Sequence, residues 1–203
     1  MSRRIENIVI LLFLGMLAFM IINNYSNIEL ALFGKNADPS ANKPEYVIAD
    51  IEKAIHSGIN SERTKAGIGA LAWDSNLSSI AREHSVDMAM RGFFDHINPD
   101  NEGPTERGIR HGYNCTRYFD SYVRTGIAEN IHQNNLYTTY EYQGDSIISY
   151  NWSSVDQIAK KTVEDWMKSE NHRKNILDPG FDGEGIGVYI DEKYKVWVTE
   201  NFC

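Results

Sequence analysis

Three short segments of the chain carry side chains suited to proton transfer or metal ligation. They are Phe93-Phe94-Asp95-His96, Ala128-Glu129-Asn130-Ile131, and Ser169-Glu170-Asn171-His172-Arg173-Lys174-Asn175-Ile176-Leu177. Imidazole and carboxylate are the groups that exchange protons near neutral pH or bind divalent cations. Each segment falls where a predicted element meets a loop, the place where site residues concentrate. Other chemistries lack their signatures. There is no His-Glu-x-x-His on a helix and no Gly-x-Ser-x-Gly elbow. The two cysteines, Cys115 and Cys203, have no Cys or His at zinc-ligand spacing. In an extracytoplasmic chain such an even pair reads as a disulfide, with two free thiols as the alternative.

The elements that must position these segments follow from periodicity. Ile48, Ile51, Ala54, Ile55 and Ile59 mark one face of a helix over about 46–66, stopped by Gly67. Asp74 caps a second helix in which Leu77, Ile80, Ala81, His84 and Met88 share a face, ending at Gly92. His84 lies on that apolar face and reads as a packed core histidine. Residues 93–133 look loop-rich, with a short helix around Thr105 to His111. Residues 133–152, rich in Asn, Tyr, Ser and Gly, read as a surface loop. His111 and His132 read as solvated loop positions. Ser154 and Gln157 form a capping box that opens a third helix, with Ala159, Val163, Trp166 and Met167 facing inward. Ile186, Val188 and Ile190 alternate on one strand and Val196 and Val198 on the next, with Asp191-Glu192-Lys193 between them.

The chain divides into three parts: a targeting segment over 1–28, a Gly- and Pro-containing linker over 29–46, and one domain over 47–203. Arg3 and Arg4 precede an apolar run from Ile8 to Ile22, and the first charge after that run is Glu29. That pattern predicts a signal anchor, with a cleaved signal as the alternative. Either places the domain outside the cytoplasm, since the arginines remain inside. The domain is large enough to bury its own core. Net charge is −8, with 42% hydrophobic and 24% charged residues. No basic cluster follows the first residues, so nucleic acid is excluded as a partner.

Read in order, the motifs resemble the CAP superfamily: the cysteine-rich secretory, antigen 5 and pathogenesis-related-1 proteins, and among them the prokaryotic SCP-type members. The resemblance rests on Asn60-x-Glu62-Arg63-x-x-Ala66-Gly67, Leu71-x-Trp73-Asp74, Ala81-x-x-His84-Ser85-x-Asp87-Met88 and Phe93-Phe94-x-His96. It continues through Glu129-Asn130, Trp166-Met167-x-Ser169-x-x-His172-Arg173-x-Asn175-Ile176-Leu177, Gly185-Ile186-Gly187-Val188 and Val198-Thr199-x-Asn201-Phe202. It implies an α+β fold, a three-layer α-β-α sandwich around a small antiparallel sheet. It also implies a cleft where two histidines, His96 and His172, converge with Glu129. A second family glutamate falls on Ser169 here, with Glu170 one residue further as a substitute. Such a set could take Zn²⁺ or another divalent cation on His96 and His172.

The resulting expectation is a membrane-anchored recognition module, binding a metal or a cell-envelope or lipid ligand. The alternatives are a metal-dependent hydrolase of envelope peptide or glycan, and a structural scaffold with no small ligand.

Overall fold

The structure is a computed structural model that describes residues 38–203. The targeting segment expected over 1–28 lies outside the described residues. Among the described residues no helix is long and apolar enough to cross a membrane.

Five helices are described: α1 (Ile48–Lys65), α2 (Ser75–Arg91), α3 (Pro104–Arg110), α4 (Val155–Lys168) and α5 (Glu170–Ile176). The strands are β1 (Ala72–Trp73), β2 (Thr116–Tyr118), β3 (Val123–Thr125), β4 (Ala128–Asn135), β5 (Tyr137–Gln143), β6 (Ser146–Trp152), β7 (Gly183–Ile190) and β8 (Lys195–Phe202). The central sheet runs β1-β7-β8-β4. It is antiparallel apart from the two-residue β1, which pairs parallel with β7. β2–β3 and β5–β6 are separate hairpins. The fold is the expected mixed α+β one.

Local signals account for the long elements. Asp74 Oδ1 accepts from the backbone N–H of Asn76 and Leu77 and so starts α2. Gly92 ends it in the left-handed region at φ 70°. Ser154 and Gln157 exchange hydrogen bonds at the start of α4. The β7–β8 turn is held by Asp191 Oδ1, which accepts from the N–H of Lys193 and Lys195.

The chain forms two units, one of Pro44–Thr139 with Asn151–Cys203, the other including the hairpin tip Tyr140–Tyr150. In the hairpin tip Tyr140 meets Tyr142 and Tyr150 edge to face. In the larger unit, strand alternation sends residues to two faces. Ile186 and Val188 of β7 with Val196 and Val198 of β8 bury into the main core, against Ile51, Ile55 and Ile59 of α1 and Ile158, Val163 and Trp166 of α4. On the opposite face α2 lies so close to β7 that a Cβ on Gly185 or Gly187 would overlap its backbone at Ser78 and Arg82. Ser78 and Ser85 of α2 donate to the Ile186 and Gly187 carbonyls.

Buried Arg63 joins three parts of the unit, donating to the carbonyls of Gly69, Ile176, Asp178 and Phe181. Cys115 and Cys203 form a disulfide, which ties β8 to the loop before β2.

Two loop expectations are corrected. Residues 133–152 contain the β5–β6 hairpin, whose strands are largely exposed. With little to bury, they carry no apolar alternation to read, and Gly144 makes the turn at φ 63°. β4 holds His132, which is only partly exposed. Its sequence, Ala-Glu-Asn-Ile-His-Gln-Asn-Asn, is polar because it forms the sheet edge beside the candidate site.

Candidate functional site

β4 is an edge strand, and Glu129 and Asn130 are consecutive on it. Their side chains therefore point to opposite faces of the sheet. Glu129 faces α2, and Asn130 faces α5.

On the α2 face Glu129 is buried and anchored from two sides. Arg107 Nη2 of α3 donates to its Oε2 at 2.5 Å. His96 Nδ1 lies 2.9 Å from its Oε1. Arg107 is itself 1% exposed, and its Nη1 also donates to the carbonyls of His96 and Glu102. One guanidinium thus fixes both the carboxylate and the backbone that carries His96. His84 is fully buried, as its place on the apolar face of α2 predicts. Its Nε2 donates to the Asp95 carbonyl at 3.0 Å. The 3.7 Å separation from Glu129 is an electrostatic contact, too long for a hydrogen bond.

His96 differs from His84 in exposure, with 47% of its side chain open to solvent. Its hydrogen bond to the Glu129 carboxylate raises its pKa above the ordinary imidazole value, against the opposing effect of burial. Donation through Nδ1 leaves Nε2 as the ring nitrogen for a ligand. Phe94 and Ile97, on the same loop, are also exposed.

On the other face Asn130 Nδ2 donates to the His172 carbonyl at 3.2 Å and to Glu200 Oε2 at 3.0 Å. Asn175 donates to Asn130 Oδ1 and to the Glu129 carbonyl. These bonds dock α5 on the sheet edge and hold His172 there, half-buried. Burial, and then the charge of nearby His96, pushes the His172 pKa down. The two imidazoles are therefore displaced in opposite directions. Glu170 is not drawn in. It is exposed in the first turn of α5.

His132, on the α4 face of β4, donates Nε2–H to Asp165 at 3.1 Å. Its ring packs edge-on against Trp166, and burial lowers its pKa to about 4.

Among the described residues no group of three or more His, Cys, Asp or Glu side chains is arranged to hold a metal ion. Glu129 explains this, since its two oxygens are engaged by Arg107 and His96 and the neighbouring guanidinium opposes a second cation. A ligand set of His96, Glu129 and His172 does not fit. Glu129 instead orients His96, as an outer carboxylate orients a ligating imidazole.

Arg107 was invisible in the sequence as a site residue, being one arginine in a short helix. Asn130 and Asn175 stood within the noted motifs, but nothing local revealed their role in docking α5.

A three-layer domain with a His/Glu edge site of this kind is an SCP-type domain. The family model "Cysteine-rich secretory protein family" (CAP) matches residues 56–202, and the chain belongs to that family. The chain is 30% identical over 153 residues to the Bacillus subtilis protein YkwD, across 75% of this chain and 47% of that protein. It is 30% identical over 151 residues to the Bacillus subtilis membrane protein YlbC, across 74% of this chain and 34% of that protein. The crystal structure of an extracellular SCP-domain protein from Bacillus anthracis superposes with a TM-score of 0.52 at 27% identity, over 76% of this chain and 40% of that one. The chain thus spans less than half the length of these relatives.

Proposed function

We propose that the domain is an extracytoplasmic recognition module, tethered to the membrane by its N-terminal segment, whose His96/Glu129/His172 cleft binds an anionic, carboxylate-bearing ligand of the cell envelope. The observation that carries this reading is His96 itself. A buried carboxylate favours the imidazolium, and the ring is presented to solvent on a loop with exposed Phe94 and Ile97. A charged donor beside apolar surface suits an anion with an apolar flank. The Cys115–Cys203 disulfide supports an oxidising compartment. So do the relatives, one described as extracellular and one as a membrane protein. A divalent cation would have to rest on His96 and His172 alone, a site of weak affinity.

A second reading has one observation in its favour. The opposite displacement of His96 and His172 pairs an acid with a base, as a hydrolase of envelope peptide or glycan requires.

The test is calorimetric titration of the full chain with purified soluble muropeptides, with mass spectrometry of the mixture. Saturable binding that is lost in His96→Ala, with the muropeptides unchanged, supports the recognition module. Cleavage products that disappear in His172→Ala replace it with the hydrolase. No heat and no products would overturn both.

A further inference from the structure

The α1 face of the sheet buries a line of polar groups that the cleft does not use. Glu184 of β7 and Glu200 of β8 are both fully buried. Ile186 lies opposite Glu200 in the strand register, so the two glutamates are diagonal neighbours on one face. Each carboxyl group lies within the electrostatic reach of the other. His56 Nδ1 of α1 holds Glu184 Oε1 at 2.5 Å. Asn130 Nδ2 of β4 holds Glu200 Oε2 at 3.0 Å. The two remaining oxygens, Glu184 Oε2 and Glu200 Oε1, meet no N–H or O–H donor among the described residues. A hydrogen bond between these two orphaned oxygens would satisfy both, and it requires a proton on one of them.

His56 cannot supply that proton. Leu71 N–H donates to Asn60 Oδ1 at 2.7 Å, which fixes the orientation of that amide. Asn60 Nδ2 consequently faces His56 Nε2, 3.3 Å away, and Nε2 accepts. The ring is neutral, with its one proton on Nδ1 directed at Glu184. Burial favours the same state. The charged group that reaches the pair from α1 is Arg63, and its donors are spent on backbone carbonyls. Asp178, just beyond α5, acts on Arg63 and not on the pair. β4 contributes the neutral Asn130.

We infer that Glu184 and Glu200 share one proton near neutral pH, and that this acid pair positions His172 through Asn130. The inference rests on His172 being a cleft residue. Hydrogen bonds join His56 to Glu184, Glu200 to Asn130, and Asn130 to the His172 carbonyl, and the strand register sets Glu184 and Glu200 side by side between them. With the proton in place, Glu200 presents a settled acceptor to Asn130. Without it, two anions face each other in a buried site and repel. Glu200 must then shift, and Asn130 and α5 shift with it.

Burial raises both carboxyl groups above their ordinary values. The folded protein therefore holds a proton that the unfolded chain has released. The stabilisation is complete below the ordinary glutamate pKa and is lost as pH rises through the raised one.

The test uses the full chain in mild detergent, with ¹³C-labelled glutamate and ¹⁵N-labelled histidine. Wild type is compared with Glu200→Gln and Glu184→Gln. Either amide supplies one N–H in place of the shared proton and keeps an oxygen for Asn130 or His56, so both variants retain the native contacts. In wild type one carboxyl signal stays protonated at pH 6 and ionises at higher pH, and the His172 ring shows a second inflection at that same pH. In Glu200→Gln and Glu184→Gln both inflections disappear and His172 keeps its low-pH shift. Two fully ionised carboxylates at pH 6, or a His172 inflection that persists in both variants, would overturn the inference. These readouts need no ligand. Failure of muropeptide binding leaves them intact, and their failure leaves the recognition reading standing.

Discussion

Glu129→Gln keeps the shape of the side chain and removes its charge, so it isolates what the carboxylate does. In the native protein Glu129 neutralises Arg107, which is 1% exposed and 2.5 Å away. The variant leaves that guanidinium buried without a counter-ion. Removing one partner of a buried pair costs about 3–5 kcal/mol. For a domain of this size each kcal/mol lowers Tm by about 2–4 °C, so the expected fall is about 10 °C. Arg107→Met combined with Glu129→Gln removes both members and recovers much of the loss, which gives the double variant a diagnostic sign.

The same substitution acts on His96. Its pKa is raised by the hydrogen bond to Glu129 and by that carboxylate's charge, and with a neutral amide in its place it falls. A raised imidazole contributes stability that is present below its ordinary pKa and is lost as pH rises through the raised one. That slope flattens in the variant. Urea unfolding across pH 5–8 with NMR titration of the His96 ring measures both effects. A Glu129→Gln protein within about 1 kcal/mol of wild type, with an unchanged His96 titration, would refute the reasoning.

Reduction of Cys115–Cys203, or Cys203→Ser, removes a link spanning 88 residues and lowers stability by about 4–5 kcal/mol in chemical unfolding, from loop entropy alone. Gly187→Ala pushes a methyl group into the backbone of α2 at Arg82. It should cost about 3 kcal/mol, and hydrogen exchange should show protection lost first in α2. His132 is buried neutral, with a pKa of about 4. Wild type therefore loses stability as pH falls from about 6.5 towards that value, because the unfolded chain binds the proton first. His132→Gln should lose less between pH 7 and 4.5 in thermal unfolding, and an equal loss would remove His132 as the cause.

How much was legible depended on whether the signal was local. Asp74 and Gly92 bound a helix whose apolar positions repeat with the helical period, and its buried face, from Leu77 to Met88, appeared as read. Ser154 with Gln157 started α4, and β7 and β8 showed their alternation because one of their faces is core. β4 carried no such pattern. Its polar residues are buried by partners from α2, α3, α4 and α5, each distant in sequence. The exposed β5–β6 hairpin had no core to imprint a period.

The sequence by itself determined the order of the helices, the closing hairpin, the pairing candidates Cys115 and Cys203, and the histidines and glutamate worth examining. Composition, period and motif order are properties of neighbours along the chain. Only the tertiary structure decided which face each side chain serves. It separated Glu129 from Asn130 across the sheet, matched Arg107 to Glu129, left Glu170 exposed, and set Glu184 diagonal to Glu200 on one buried face. Those outcomes follow from strand register and helix docking. One residue of offset in register exchanges the faces of a strand, and no local pattern in a polar edge strand specifies it.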